Sequence, residues 1–153
     1  MSLRLAPADL DDPMVQALIA AHQAHSHSTS PPESVFALDL DGLRADDVTL
    51  FAAWQGPALV GCGALRQLGP REGELKSMHI ARAHRGKGHA RALLAHLIAH
   101  ARALGLQQLW LETGSMEAYA PARALYASAG FRTCGRFGDY PVDPNSTYMT
   151  REI

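Results

Sequence analysis

The stretch HRGKGHARALL, residues 84–94, sets Arg85, Lys87 and Arg91 around two glycines, directly ahead of an apolar run. A helix that starts there presents unpaired backbone N–H groups and a partial positive charge, which together hold phosphate oxygens. Gly86 and Gly88 clear side chains from the path of a ligand approaching the backbone. A solvated basic turn has the same composition, so the stretch alone does not decide. Two phosphate motifs are excluded. A P-loop needs Ser or Thr after Gly-Lys, and Gly88 stands there; a dinucleotide fingerprint needs a third glycine, and Arg91 stands there. The strands before it also look antiparallel rather than βαβ.

His22, His25 and His27 raise metal binding. The first two, spaced i, i+3, could share a helix face. No carboxylate or cysteine is tied to them by spacing, so no metal site is expected; a helix end lining a pocket is at least as good a reading. Cys62 and Cys134 lie in or near strands and read as packed thiols.

These residues need elements to position them. Ser2 to Leu5 can form a first strand. Asp11-Asp12-Pro13 reads as a helix start whose inward face is Val15, Leu18, Ile19 and His22. After a loop at 26–32, Pro31-Pro32-Glu33 is expected to open a second short helix, with Val35, Leu38 and Leu43 inward. VTLFAAW and ALVGCGALRQL read as strands separated by Gln55-Gly56-Pro57, and ELKSMHI as a third after Gly69-Pro70. A long helix over 88–104 has Leu93, Leu94, Leu97, Ile98, Ala101 and Leu104 on one stripe, and Gly105 ends it. Strand 107–113, helix PARALYASAGF and a final antiparallel pair, 131–137 with 146–153, complete the order. The expected architecture is a mixed α/β (α+β) sheet, mostly antiparallel, with helices on both faces.

A chain of 153 residues is most simply one domain, 1–153, and 47% hydrophobic content supports a core. A net charge of −1 argues against a nucleic-acid partner. No apolar run approaches the roughly 20 residues of a membrane span, so no membrane partner is expected. The start, MSLRLAPADLDDP, lacks the apolar core of a signal peptide, and two cysteines suit a reducing cytoplasm.

The segment Arg85-Gly86-Lys87-Gly88-His89-Ala90 resembles the (Arg/Gln)-x-x-Gly-x-(Gly/Ala) motif of the GCN5-related N-acetyltransferases, the GNAT family. That family places the motif between its fourth strand and third helix, as here. It also ends its next helix in Leu-Tyr-x-x-x-Gly-Phe, matched by Leu125-Tyr126 and Gly130-Phe131. The resemblance spans nearly the whole chain. It is closer still to a bacterial branch of small acetyltransferases associated with indole-acetate production, through PPESVFALDLDGLR, GCGALRQL, ELKSMHI, LETGSMEAYAPARALY and GDYPVDPNSTYM.

The resemblance implies a GNAT fold with a splayed central strand pair and acetyl-CoA as cofactor. The amides of Arg85, Gly86, Lys87, Gly88, His89, Ala90 and Arg91 would cradle its pyrophosphate, and the backbone of Met78, His79 and Ile80 would line its pantetheine arm. His89 stands where relatives carry a small aliphatic residue, either solvated or approaching a phosphate. Thr113-Gly114-Ser115-Met116 replaces the asparagine many relatives carry. The implied catalytic pair is Glu74 as base and Tyr126 as acid. Glu74 could equally be an ordinary strand glutamate, with Asp139 or Glu112 in its place, and Tyr126 could simply pack beside Leu125. Glu33, Ser34, Lys76, Thr113, Phe137 and Tyr140 are the expected acceptor residues. Lys76, expected on one strand face with Glu74 and Met78, could hold an acceptor carboxylate or pair with Glu74. The expected reaction is acetyl transfer to a primary amine of a small molecule. A protein or peptide acceptor, or an acyl-CoA sensor without turnover, are the alternatives. The expected partners are the small-molecule amine and a second copy of the chain in a homodimer.

Overall fold

The computed structural model describes residues 2–153. A seven-stranded sheet runs in the order β1 (Arg4–Pro7), β2 (Val48–Gln55), β3 (Ala58–Gln67), β4 (Glu72–Ile80), β5 (Gln108–Gly114), β7 (Ser146–Glu152), β6 (Arg132–Cys134). Every neighbouring pair is antiparallel except β4 and β5. That parallel pair is registered only from Glu72–Gln108 to Leu75–Leu111, although β4 continues to Ile80 and β5 to Gly114. Beyond Leu75 and Leu111 the strands part and leave a wedge between them.

Helices cover both faces. In α1 (Pro13–Thr29), Asp12 caps the start by accepting from the Met14 amide at 2.9 Å, with Pro13 in the first turn. Val15, Leu18 and Ile19 pack on Leu50, Ala52, Cys62 and Ala64. On the opposite face α3 (His89–Ala103) and α4 (Ala120–Ser128) bury Leu94, Leu97, Ile98, Ala101 and Tyr126 against Leu65, Leu75, Leu109, Leu111 and Met149. Gly105, with φ 82°, ends α3 as expected.

Three details differ from the sequence reading. The expected second helix is a single 3-10 turn, Pro32–Ser34, followed by an extended segment and a four-residue helix, α2 (Leu40–Leu43) capped by Asp39. One turn sits too close to its prolines to propagate, because helix nucleation is costly in so short a segment. The 131–137 strand shrinks to Arg132–Cys134, leaving Phe137 in a loop. The third difference lies in β4, where Ser77 and Met78 stand opposite the single residue Gly63: Ala64 pairs with Lys76, but Cys62 pairs with His79. This bulge takes Ser77 to φ 54° and turns Met78 away from the face shared by Glu74 and Lys76. Met78 joins the α3 side, where a Cβ on Gly63 would lie 2.6 Å from its sulfur. Among the described residues no helix is long and apolar enough to cross a membrane.

Candidate active site

The wedge between β4 and β5 opens on the α3–α4 side into a groove of about 460 Å³. Met78, His79 and Ile80 form one wall, and Arg85, Gly86, Gly88, His89, Ala90 and Arg91 the end; Tyr119, Ala122, Leu125 and Tyr126 lie opposite. Lys87 alone of the expected loop residues is not in the lining. Gly86 (φ 77°) and Gly88 (φ 83°) adopt the left-handed region, and no atom stands within 4 Å of where their Cβ would be. No side chain caps the first turn of α3, so its amides stay available for an anion. Arg85 instead folds back, its Nε donating to the Ile80 carbonyl at 3.0 Å, which ties the loop to the end of β4. His89 is buried with Nε2 unpartnered, so it faces the groove wall rather than bulk water.

A second, smaller space of about 120 Å³ adjoins this groove. Both share His22, Met78, Tyr119, Ala122 and Tyr126. Its floor is Lys76, Ser77 and Met78 with Glu112, Thr113 and Gly114; its roof is the segment Ser34–Ala37. The roof is latched from outside. Ser34 Oγ donates to Asp143 at 2.6 Å, and Asn145 Nδ2 donates back to Ser34 at 3.3 Å. Gln23 Nε2 donates to the Ala37 carbonyl at 3.1 Å. At the junction the Tyr119 hydroxyl meets Thr29 Oγ1 at 2.6 Å, joining the end of α1 to the start of α4.

Of the six expected acceptor residues, Ser34, Lys76 and Thr113 line this space; Glu33 is exposed and outside it. Phe137 and Tyr140 lie behind it in an aromatic cluster with Tyr148 and Trp110. Asp139 is exposed and not among the lining residues. Lys76 is already engaged: Nζ donates to Glu74 Oε2 at 3.2 Å and to the Tyr140 hydroxyl at 2.6 Å, while that hydroxyl donates to the same carboxylate oxygen. Glu74 is 2% exposed and absent from the lining, so its carboxylate is spent within this triangle.

Glu112 is the carboxylate that faces the small space. Burial pushes it up to about 7, against the pull of Ser146 and Lys76. Tyr126, 7% exposed, lines both spaces; burial and then the Glu112 charge push its phenol well above the usual value. Its position is fixed by the end of α4. The Phe131 amide donates to the Tyr126 carbonyl at 3.0 Å and the Gly130 amide to that of Ala127 at 3.1 Å, with Gly130 at φ 92°. This is a Schellman end, and the Tyr126 and Phe131 rings meet at 6.0 Å. The Leu-Tyr-x-x-x-Gly-Phe spacing is therefore the local code that aims the phenol.

The model of the acetyltransferase (GNAT) family matches residues 13–131. The chain belongs to the GNAT acetyltransferases. As a GNAT it is 45% identical over 147 residues to the N-acetyltransferase YsnE of Bacillus subtilis, covering 94% of this chain and 97% of that protein. It is 37% identical to the IAA acetyltransferase of Azospirillum brasilense, covering 94% and 93%. The crystal structure of an acyl-CoA N-acyltransferase from Klebsiella pneumoniae superposes with a TM-score of 0.79 at 31% identity, over 98% of this chain and 97% of that one. The same GNAT fold, at a TM-score of 0.75 and 17% identity, appears in a Bacillus subtilis acetyltransferase in complex with CoA, covering 99% of each chain.

Three participants were not assigned from sequence. Ser77 enters through the bulge, and no sequence signal marks a serine for a left-handed conformation. Tyr119 and Phe36 enter through loops whose packing is tertiary. His22 and His79 also meet, with ring centroids 5.0 Å apart, and His25 lies 6.2 Å from His79. Burial, with the neighbouring imidazoles, pushes His22 and His79 each down to about 4. Both rings are thus neutral at physiological pH. Cys62, its thiol pushed up to about 12 by burial, donates to the Ser77 carbonyl at 3.4 Å and is a packed thiol.

Proposed function

We propose that this acetyltransferase moves an acetyl group from acetyl-CoA to the primary amine of a small molecule held in the 120 Å³ space, with Glu112 as base and Tyr126 as donor to the departing sulfur. The observation that carries this reading is the pairing of Glu112 and Tyr126 in one small roofed space that opens directly into the cofactor groove. The groove fits acetyl-CoA on its own residues: free α3 amides, two unobstructed left-handed glycines, and Arg85 and Arg91 beside them. The bound thioester supplies the acetyl group and a sulfur leaving group.

An aliphatic amine, near 10.4 when free, arrives mostly protonated at neutral pH. A carboxylate at about 7 is half ionised there, a good balance for accepting that proton. The nitrogen must be relieved of a proton before or as it attacks, and Glu112 is the wall group with free capacity. Tyr126 works by hydrogen bonding. Its phenol is far less acidic than a thiol, near 8.5, so full transfer is uphill, but a buried O–H stabilises charge growing on sulfur. Glu74 is then a positioning residue that holds Lys76 in the floor and Tyr140 behind it.

A peptide acceptor needs an open groove, and the latched Ser34–Ala37 roof argues against one. Two free cysteines suit a reducing cytoplasm. Release of free thiol from acetyl-CoA across a panel of small amines, amino acids and peptides tests the reading. Small amines should turn over; activity confined to peptides, or none on any acceptor, overturns it.

A further inference from the structure

The cofactor groove and the 120 Å³ space meet at a junction lined from both sides by His22, Met78, Tyr119, Ala122 and Tyr126. An acyl group passing from a thioester in the groove to an amine in the space must sit there. Tyr119 takes no part in the proposed chemistry, yet the fold fixes it from three directions. Its hydroxyl is hydrogen-bonded to Thr29 Oγ1 at 2.6 Å and to Ser30 Oγ at 3.3 Å, at the end of α1. Its ring lies against the end of β5, where a Cβ on Gly114 would overlap it, so glycine at that position is what admits the ring. Its backbone is held by Arg123, whose Nη1 donates to the carbonyls of Gly114 at 2.7 Å and Met116 at 2.9 Å.

A ring anchored at both ends is a stiff wall, because it swings aside only by breaking those bonds. Tyr126 beside it is held by the Schellman end of α4. An acetyl group ends in one methyl. Each further methylene presses on this wall or runs into the 120 Å³ space. There it takes room from the acceptor and lies against Lys76, Glu112 and Thr113, where an apolar chain gains little. Beyond the Tyr119 ring lie His25, at 6.2 Å between ring centroids, and the Thr29–Ser30 end of α1. Truncating Tyr119 therefore opens a path for a longer chain between α1 and α4.

We propose that Tyr119 sets the length of the acyl group this enzyme transfers, walling the junction so that acetyl and propionyl thioesters fit and longer chains do not. The inference rests on the reading that the acceptor occupies the 120 Å³ space. Tyr119 is a specificity-determining residue, and Gly114 and Arg123 position it.

The test sets acetyl-, propionyl-, butyryl- and hexanoyl-CoA against the wild-type enzyme, Tyr119→Ala and Tyr119→Phe. Calorimetry reads the affinity of each thioester with no acceptor present. Transfer is read as kcat/KM with one fixed acceptor, the small amine that turns over best from acetyl-CoA. In the wild type, affinity should not rise from acetyl- to hexanoyl-CoA, and kcat/KM should fall by about tenfold or more at butyryl-CoA. In Tyr119→Ala, butyryl-CoA should bind about tenfold tighter than acetyl-CoA, the worth of two newly buried methylenes. Its transfer relative to acetyl should rise by a similar factor. Tyr119→Phe keeps the ring and should keep the wild-type order. Tyr119→Leu, a smaller truncation, repeats the comparison if the alanine variant does not fold. A wild type that binds butyryl-CoA tighter than acetyl-CoA, or transfers both alike, overturns the inference while the small-amine reading stands. A truncated variant that keeps the wild-type order also overturns it. No transfer to any small amine overturns the small-amine reading, and the affinity series then decides the role of Tyr119 by itself.

Discussion

Glu74 and Glu112 sit on adjacent strands, and their surroundings differ. Glu74 is enclosed by Lys76 and Tyr140, whereas Glu112 faces the 120 Å³ space with its carboxyl raised to about 7. Glu112→Gln should lower kcat/KM at pH 7 by about 10²-fold or more, and the wild-type acid limb near pH 7 should vanish in the variant. A pH–rate profile checks this; an acid limb that survives in the variant assigns the base elsewhere. Glu74→Gln should keep that limb and instead lower the melting temperature, since it leaves Lys76 buried without its counter-charge. Tyr126→Phe keeps the ring against Phe131 and deletes only the hydroxyl. Its single-turnover rate should fall by about 10²-fold with little change in acetyl-CoA affinity, as measured by quench-flow and calorimetry.

Two helix ends carry the site at the scale of elements. The α3 start is left uncapped by side chains and opened by Gly86 and Gly88. Gly88→Glu should abolish acetyl-CoA binding in calorimetry, because it sets bulk and negative charge before those amides. Gly88→Ala faces open space, so strain at φ 83° alone should cost about 1 kcal/mol of stability. The α4 end fixes the position of Tyr126. Gly130→Ala strains the Schellman turn at φ 92° and crowds Arg151 Nε at 3.3 Å. Stability should fall by about 1–2 kcal/mol, and kcat should fall further than that loss explains, because Tyr126 is aimed by this turn. Denaturant midpoints and kcat on one preparation check both.

Across the whole molecule, buried titratable groups pull stability in opposite directions with pH. The fold holds His22 and His79 at about 4, below the ordinary 6.5, so their contribution is complete above pH 6.5 and is lost as pH falls toward 4. It holds Glu112 at about 7, above the ordinary 4.5, so that contribution is complete below pH 4.5 and is lost as pH rises through 7. Two imidazoles outweigh one carboxyl, so stability should rise from pH 4 to 6.5 and dip slightly just above. Urea midpoints across this range should show a shallower acid flank in His22→Phe and a steeper one in Glu112→Gln.

The order of strands and helices was legible because each rests on local signals. Asp12-Pro13 caps α1, the leucine stripe of α3 has a helical period, and Gly105 and Gly130 end helices in conformations that favour glycine. The shape of the glycine-rich loop and the placement of Tyr126 follow local signals too, since the residues that shape each lie within a few positions along the chain. The surroundings of Glu74 and Glu112 were not legible. Which carboxylate is spent on Lys76 depends on Tyr140, more than sixty positions away, swinging under the floor. The Ser77 bulge was equally hidden, since strand periodicity carries Lys76 and Met78 to one face and only the register shift between Cys62 and Ala64 on β3 separates them. Local backbone preference fixes where chain segments turn, but burial and partner choice are properties of distant residues brought together, and those decide which acid is held by Lys76 and Tyr140 and which lines the open space.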